Sequence, residues 1–77
     1  MSLAKRWQSL DRDTVATAPD RYALYEFGDE EGDSLGMAAG PLRDALKEEL
    51  TYGNAERVRW ELANSKAHAQ RLLANHE

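Results

Sequence analysis

The chain has 77 residues with 14 acidic and 10 basic side chains, a formal net charge of −4 and no cysteine. A chain of this length holds one domain with a small core, and the lack of cysteine excludes disulfides and a cysteine-ligated zinc site. No apolar run approaches the roughly 20 residues of a membrane span, and the N-terminus lacks the apolar stretch of a signal peptide. We therefore expect a cytoplasmic protein with no membrane contact.

The net negative charge opposes non-specific binding to nucleic acid, whose affinity comes largely from neutralised phosphates. Only three of the basic residues are lysines: Lys5, Lys47 and Lys66. An acid excess with few lysines is typical of a halophile, because high ionic strength screens the repulsion between carboxylates. An ordinary mildly acidic protein has the same balance, so both interpretations stay open.

Residues 1–19 are predicted to form an N-terminal arm or short helix packed on the core, ahead of a single α+β domain over residues 20–77. Trp7 is expected to be buried, since one indole is a large share of so small a core. Pro19 disfavours helix at Ala18 and delivers the chain in extended form to the next segment.

A strand and a turn follow. RYALYEF, residues 21–27, is rich in aromatic residues and has apolar groups on both faces, which suits a strand that is covered on both faces. GDEEGD, residues 28–33, carries Gly and Asp at turn positions. This composition predicts a solvated hairpin tip rather than a calcium loop.

SLGMAAG, residues 34–40, is predicted to be the returning strand of the hairpin. Strict alternation places Leu35 and Met37 on one face of this strand and only small side chains on the other, namely Ser34, Gly36 and Ala38. The small side chains leave room for the close approach of a neighbouring element or a ligand.

A helix is predicted after Gly40-Pro41, since proline suits the first helical position, and it ends near Tyr52-Gly53. It carries one apolar stripe at helical spacing, made of Leu42, Ala45, Leu46 and Leu50.

The next segment is predicted to be a strand because apolar residues alternate with charged ones. Val58, Trp60 and Leu62 should point into the core, while Arg59 and Glu61 face solvent. The rival interpretation is a continuous helix over residues 54–76. In the preferred interpretation, Ser65 caps a last helix that begins at Lys66, with the sequence KAHAQRLLANHE.

The order strand, strand, helix, strand, helix predicts an α+β fold. We expect a small antiparallel three-stranded meander sheet with helices packed on it.

The motifs ALY at 23–25 and SLG at 34–36 resemble the paired motifs of the GIY-YIG nuclease superfamily. PLRDAL at 41–46 is similar to the first helix of that family, and KAHAQRLLAN at 66–75 is similar to its last helix. The resemblance covers roughly residues 20–75 and implies a GIY-YIG-like fold. In active members, this fold cleaves DNA with the help of a metal ion.

The resemblance also implies that most of the family's catalytic groups are replaced. Tyr25 stands at the family's first tyrosine, but Ser34 stands at the second, Ala45 at the helix arginine and Leu73 at the metal-binding glutamate. Phosphodiester cleavage needs a general base, positive charge on the phosphate oxygens and a metal or its equivalent. We therefore predict no catalytic residue, no metal site and no cofactor.

Two candidate surfaces remain for binding. One is a cleft between the first two strands and the first helix, lined by Tyr25, Ser34, Gly36 and Arg43. The other is a basic cluster that is either a solvated face or a nucleic-acid patch, made of Arg57, Arg59, Lys66 and Arg71. His68 and His76 lie about 12 Å apart along the last helix, which is too far to bind one metal ion together.

The preferred functional hypothesis is a small non-catalytic binding or interaction module on a GIY-YIG-like scaffold. Its partner is left open between a protein and weakly bound nucleic acid. One alternative is a divergent metal-dependent DNA endonuclease whose site is rebuilt from Tyr25, Arg43 and a carboxylate such as Glu61. A second alternative is a structural subunit that completes its core by self-association.

Overall fold

The computed structural model describes residues 5–76, with seven elements in this part of the chain. They are β1 (Gln8–Ser9), α1 (Arg12–Thr17), β2 (Tyr22–Gly28), β3 (Ser34–Pro41), α2 (Leu42–Tyr52), β4 (Arg57–Leu62) and α3 (Lys66–His76). The α+β class is confirmed, and the last five elements follow the predicted order. No helix in the described range has the length and apolar character needed to cross a membrane.

The sheet has four antiparallel strands where three were predicted. The additional strand is β1, in which Gln8 pairs with Val58 and Ser9 pairs with Arg57. A strand of two residues is too short to show an alternating pattern, so the sequence gives no signal for it. The Leu10 N–H extends this contact by donating to the Glu56 carbonyl at 3.0 Å.

The strand order is β1-β4-β2-β3, with β2 hydrogen-bonded to β3 on one side and to β4 on the other. The predicted meander is therefore wrong, because α2 carries the chain across so that β4 lies on the far side of β2. The central place suits β2, whose neighbouring residues Ala23 and Leu24 are both fully buried. A strand with apolar side chains on both faces is stabilised most where other elements cover both faces, because all of those side chains are then buried.

Helices cover both faces of the sheet. On one face, α1 and α2 pack over Ala23 and build a core cluster of Leu10, Val15, Ala18, Ala23, Leu42, Leu46 and Val58. On the opposite face, α3 packs against β2 and β3, above the buried Leu24. Ala69 is the most buried residue of α3, with 1% of its surface exposed.

The assignment of β4 as a strand is confirmed, and the rival continuous helix is wrong. Val58 is fully buried, but Leu62 is 37% exposed at the end of the strand. The prediction that Arg59 faces solvent is also wrong, since its side chain is only 13% exposed, and Glu61 is half-buried. The alternation predicted that one face of β4 is exposed to solvent, but α3 and the N-terminal segment cover that face.

The hairpin turn between β2 and β3 is confirmed. One side-chain oxygen of Asp29 accepts the N–H groups of Glu31 and Asp33, both at 2.9 Å. Gly32 adopts a φ of 87°, a conformation that glycine reaches without steric cost.

A one-residue bulge at Leu35 interrupts the β2–β3 ladder, because Phe27 pairs with Gly36 while the next residue, Gly28, pairs with Ser34. An extra residue in one strand moves every side chain beyond it to the opposite face of the sheet. Ser34 therefore lies on the α3 face, opposite Gly36 and Ala38, and the predicted grouping of these three small residues is wrong.

The predicted cap of α3 is confirmed. The Ser65 hydroxyl accepts the His68 N–H at 3.1 Å, and Nδ1 of His68 accepts the Asn64 N–H at 2.9 Å. This pair of contacts satisfies two backbone donors at the start of the helix, as a capping box does.

Candidate functional site

The residues of the predicted cleft do not meet in one place. Tyr25 and Gly36 lie on the α2 face of the sheet, but Ser34 lies on the other face, where its hydroxyl donates to Glu26 at 2.7 Å. Arg43 turns towards α1, and its Nε and Nη2 donate to the Ala18 carbonyl at 3.2 and 2.9 Å.

Tyr25 is half-buried and packs edge-on against Phe27, with ring centroids 5.4 Å apart. Burial raises the pKa of the Tyr25 phenol, and the nearby charge of Glu48 raises it further. The phenol is therefore neutral at physiological pH. A general base must instead accept a proton there, so Tyr25 is poorly suited to that role.

Gly36 borders an open groove of about 240 Å³ between β3 and the end of α2. The lining residues are Phe27, Leu35, Gly36, Met37, Ala38 and Glu49. A Cβ atom at Gly36 would meet no atom within 4 Å, although the φ of 143° disfavours any residue other than glycine. Glu49 is the one charged residue among those that line the groove, and its carboxylate accepts the Ala55 N–H at 3.1 Å.

The positions that the GIY-YIG resemblance singles out lie on both sides of the sheet. Tyr25 is on the α2 face, whereas Leu73 is on α3, which covers the opposite face. Glu61 pairs with Leu24 and is therefore also on the α3 side.

The predicted basic cluster is dispersed. Arg57 donates from Nε and Nη2 to the Glu30 carbonyl, at 3.3 and 2.9 Å, while Arg59 is held in an ion pair below the surface. Lys66 and Arg71 are exposed on α3. The six-residue strand β4, about 20 Å long, separates Arg57 from Lys66.

The sequence prediction missed a buried ion pair between Glu26 and Arg59. Glu26 is 1% exposed, and its Oε1 lies 2.7 Å from Nε of Arg59. The Arg59 guanidinium stacks 3.9 Å from the ring centroid of Trp7, and its Nη1 donates to the Lys5 carbonyl at 3.0 Å. The sequence did contain a signal for this pair, namely the carboxylate of Glu26 within the aromatic run RYALYEF. A charge in a strand that is expected to be buried requires a partner.

This ion pair ties the N-terminal segment to the sheet. Trp7 packs directly over Gly28, where a Cβ atom would come within 2.7 Å of the indole ring. The charges are directed at one another and at the backbone, so the arrangement is structural.

The sequence prediction also missed a groove of about 290 Å³ between α1 and α2. Its lining consists of three cations and three apolar residues: Arg12, Arg43, Lys47, Val15, Ala16 and Leu50. The described lining residues include no carboxylate, although the chain as a whole is acidic. Arg43 and Lys47 stand four residues apart on α2, which places them on the same helix face and was readable from the sequence.

Among the described residues, no three side chains of His, Cys, Asp or Glu lie close enough to hold a metal ion. His68 is engaged through Nδ1 in the cap of α3. The side chain of His76 lies outside the described part of the structure.

Comparison with known proteins places the chain in a family but assigns no activity. The search of curated proteins found no match, and the search of solved structures found none either. One family model, described as "Domain of unknown function (DUF7508)", matches residues 1–77, the full length given. The chain therefore belongs to the DUF7508 family.

Proposed function

We propose that the protein is a non-catalytic binding module on a GIY-YIG-like scaffold. The order β2-β3-α2-β4-α3 agrees with the order of elements that the resemblance implies. The observation that carries the proposal is the separation of Tyr25 from Ser34 and Glu61, which lie across the sheet from it.

Phosphodiester cleavage requires a base, a cation and a metal or its equivalent around one phosphate. The phenol of Tyr25 has a raised pKa, and Arg43 is directed at the Ala18 carbonyl. A rebuilt endonuclease would need Tyr25, Arg43 and Glu61 to converge, which the intervening sheet opposes. The binding module is the better-supported function.

The test is DNA cleavage by the wild-type protein on supercoiled and branched DNA, with Mg²⁺ or Mn²⁺. We expect no hydrolysis above background, because single electrostatic groups are each worth about 10²–10³-fold in rate and several are missing together. Tyr25→Phe is the matched control. Nicking by the wild type that this change abolishes would overturn the proposal.

A second candidate function is a self-associating structural subunit, and the outer edge of β3 favours it. β3 is an edge strand of eight residues without a charged side chain, and Leu35 on it is 53% exposed. Long uncharged edges are prone to pair with a second strand. Antiparallel pairing of β3 with β3 of a second copy would extend the sheet.

Molecular mass measured against concentration tests this candidate. A dimer that Leu35→Lys dissociates, and that Tyr52→Lys leaves intact, would support pairing through β3. Tyr52 is the matched control because it is 84% exposed at the end of α2. A monomer at every concentration would reject the candidate.

A further inference from the structure

We propose that the groove between α1 and α2 binds an acidic segment of a partner protein that also carries an apolar side chain. This inference rests on the proposed function, because it names the ligand class of a binding module. Of the residues that the sequence analysis named as candidate binding or catalytic residues, the groove includes only Arg43.

The floor of the groove is apolar and partly accessible. Val15 is 7% exposed and belongs to the core cluster, whereas Leu50 is 39% exposed at the far end of α2. Ala16, the next residue on α1, is exposed. An apolar side chain placed here would remove the exposed part of Leu50 from water, a gain of about 25 cal/mol for each Å² of apolar surface buried.

Three cations also line the groove. Arg12 starts α1, and Arg43 and Lys47 lie one turn apart on α2. The bond from Arg43 to the Ala18 carbonyl uses Nε and Nη2, so the guanidinium is held in place while Nη1 stays outside that contact. A guanidinium that is already oriented loses less entropy when it binds a carboxylate.

The charge pattern selects an acidic ligand. The protein carries a net charge of −4, yet the described residues that line the groove include cations and no carboxylate. Complementary charges of this kind steer partners and fix their orientation. An acidic partner would meet repulsion elsewhere on the acidic surface and attraction here.

The size and chemistry of the groove favour a peptide over other anions. Its volume of about 290 Å³ falls just below the common range for small-molecule and cofactor sites, roughly 300–1,000 Å³. None of the described lining residues is aromatic, so the groove offers no platform for stacking bases. A few side chains of an extended or helical segment would fill it.

The test measures binding of a fluorescein-labelled peptide of glutamate and leucine by anisotropy. It compares the wild type with two double variants, R12E/K47E in the groove and K66E/R71E on α3. Both variants lower the formal net charge by the same four units, since each replaces two cations with two glutamates. We expect R12E/K47E to weaken binding at least about tenfold and K66E/R71E to change it little, because only the first pair would contact the peptide.

A second peptide, in which serine replaces leucine, tests the apolar part of the proposal, and we expect it to bind more weakly. Amide chemical shifts of the ¹⁵N-labelled wild type provide a readout that does not depend on the folding of any variant. The titration should shift Val15, Ala16 and Leu50. Circular dichroism checks that both double variants are folded.

Equal loss in both double variants would show only long-range attraction and would overturn the proposal. So would the absence of binding, equal binding of the serine peptide, or tighter binding of a single-stranded oligonucleotide in the same groove. DNA cleavage would overturn the proposed function and leave the peptide result standing. Failure of peptide binding without DNA cleavage would reject only the proposed ligand of the groove and would leave the proposed function standing.

Discussion

At the scale of single residues, the most consequential feature is the ion pair of Glu26 and Arg59. Burying two charges costs several kcal/mol each, and their attraction repays this only with good geometry and further hydrogen bonds. Here Ser34 bonds the carboxylate, and the Lys5 carbonyl bonds the guanidinium. Losing one partner would leave the other charge buried without its counter-ion, whereas losing both would leave none, so single and double variants separate the two effects.

Arg59→Leu should destabilise the protein by about 3–5 kcal/mol, because it removes the cation that neutralises a buried carboxylate. The double change Glu26→Leu with Arg59→Leu should recover most of this loss, since no charge is left in the interior. Arg57→Leu is the control and should cost under about 1 kcal/mol, because Arg57 contacts a carbonyl at the surface. Chemical denaturation measures all three. A stable Arg59→Leu variant would contradict the structural role.

The raised pKa of the Tyr25 phenol predicts that the protein loses stability at alkaline pH. Burial and Glu48 raise the pKa of its phenol in the folded state. As pH rises above about 10, the unfolded chain releases this proton first, so the folded state binds more protons and the free energy of unfolding falls. The loss should continue until the pH passes the raised pKa of the folded state.

Denaturation of the wild type and of Tyr25→Phe across this pH range measures the effect, and the variant should lose less stability than the wild type. Parallel curves for the two proteins would contradict the prediction.

At the scale of elements, β1 is the smallest strand and depends on contacts outside its own backbone. Its two residues pair with β4, and Trp7 beside them packs over Gly28 and against Arg59. A strand of this length is not stable by itself, so we expect the indole contact to help hold β1 on the sheet.

Gly28→Ala should displace Trp7 and cost about 1–3 kcal/mol, because the added methyl would overlap the indole ring. Gly40→Ala is the matched control, since its Cβ would make an ordinary 3.7 Å contact with the Tyr25 hydroxyl. Hydrogen exchange at Leu10, whose N–H donates to the Glu56 carbonyl beside β1, should accelerate in the first variant alone. Unchanged exchange in Gly28→Ala would show that the Trp7 contact does not hold β1.

At the scale of the whole molecule, the acid excess is the dominant property. With 14 acidic residues against 10 basic ones, repulsion between surface carboxylates opposes the compact state. The ion pair of Glu26 and Arg59 is buried and is therefore screened much less by salt than the surface charges are.

Raising the salt concentration from low to molar should therefore raise the Tm. Thermal melts at increasing concentrations of KCl measure this, and glycerol or another neutral additive serves as the control for non-ionic effects. A Tm that stays constant or falls with added salt would contradict the salt-adapted interpretation.

The sequence by itself determined the α+β class, the order of five elements, the hairpin turn and the burial of β2 on both faces. These features depend on local signals: the apolar run of RYALYEF, the Gly and Asp residues of the turn, and the alternation around Trp60. Such signals concern residues within a few positions of one another, so they survive without knowledge of the packing.

Tertiary structure decided which strands are neighbours, where the charges lie and how the candidate sites are divided. The place of β4 beside β2 and the pairing of Glu26 with Arg59 depend on register between distant segments, and the bulge that moves Ser34 to the other face depends on how β3 pairs with β2. A shift of one residue in the pairing register moves every side chain of a strand to the opposite face of the sheet. The local sequence pattern does not encode that register. The α1–α2 groove likewise exists only because packing brings Arg12 close to Arg43 and Lys47, more than thirty positions away in the chain.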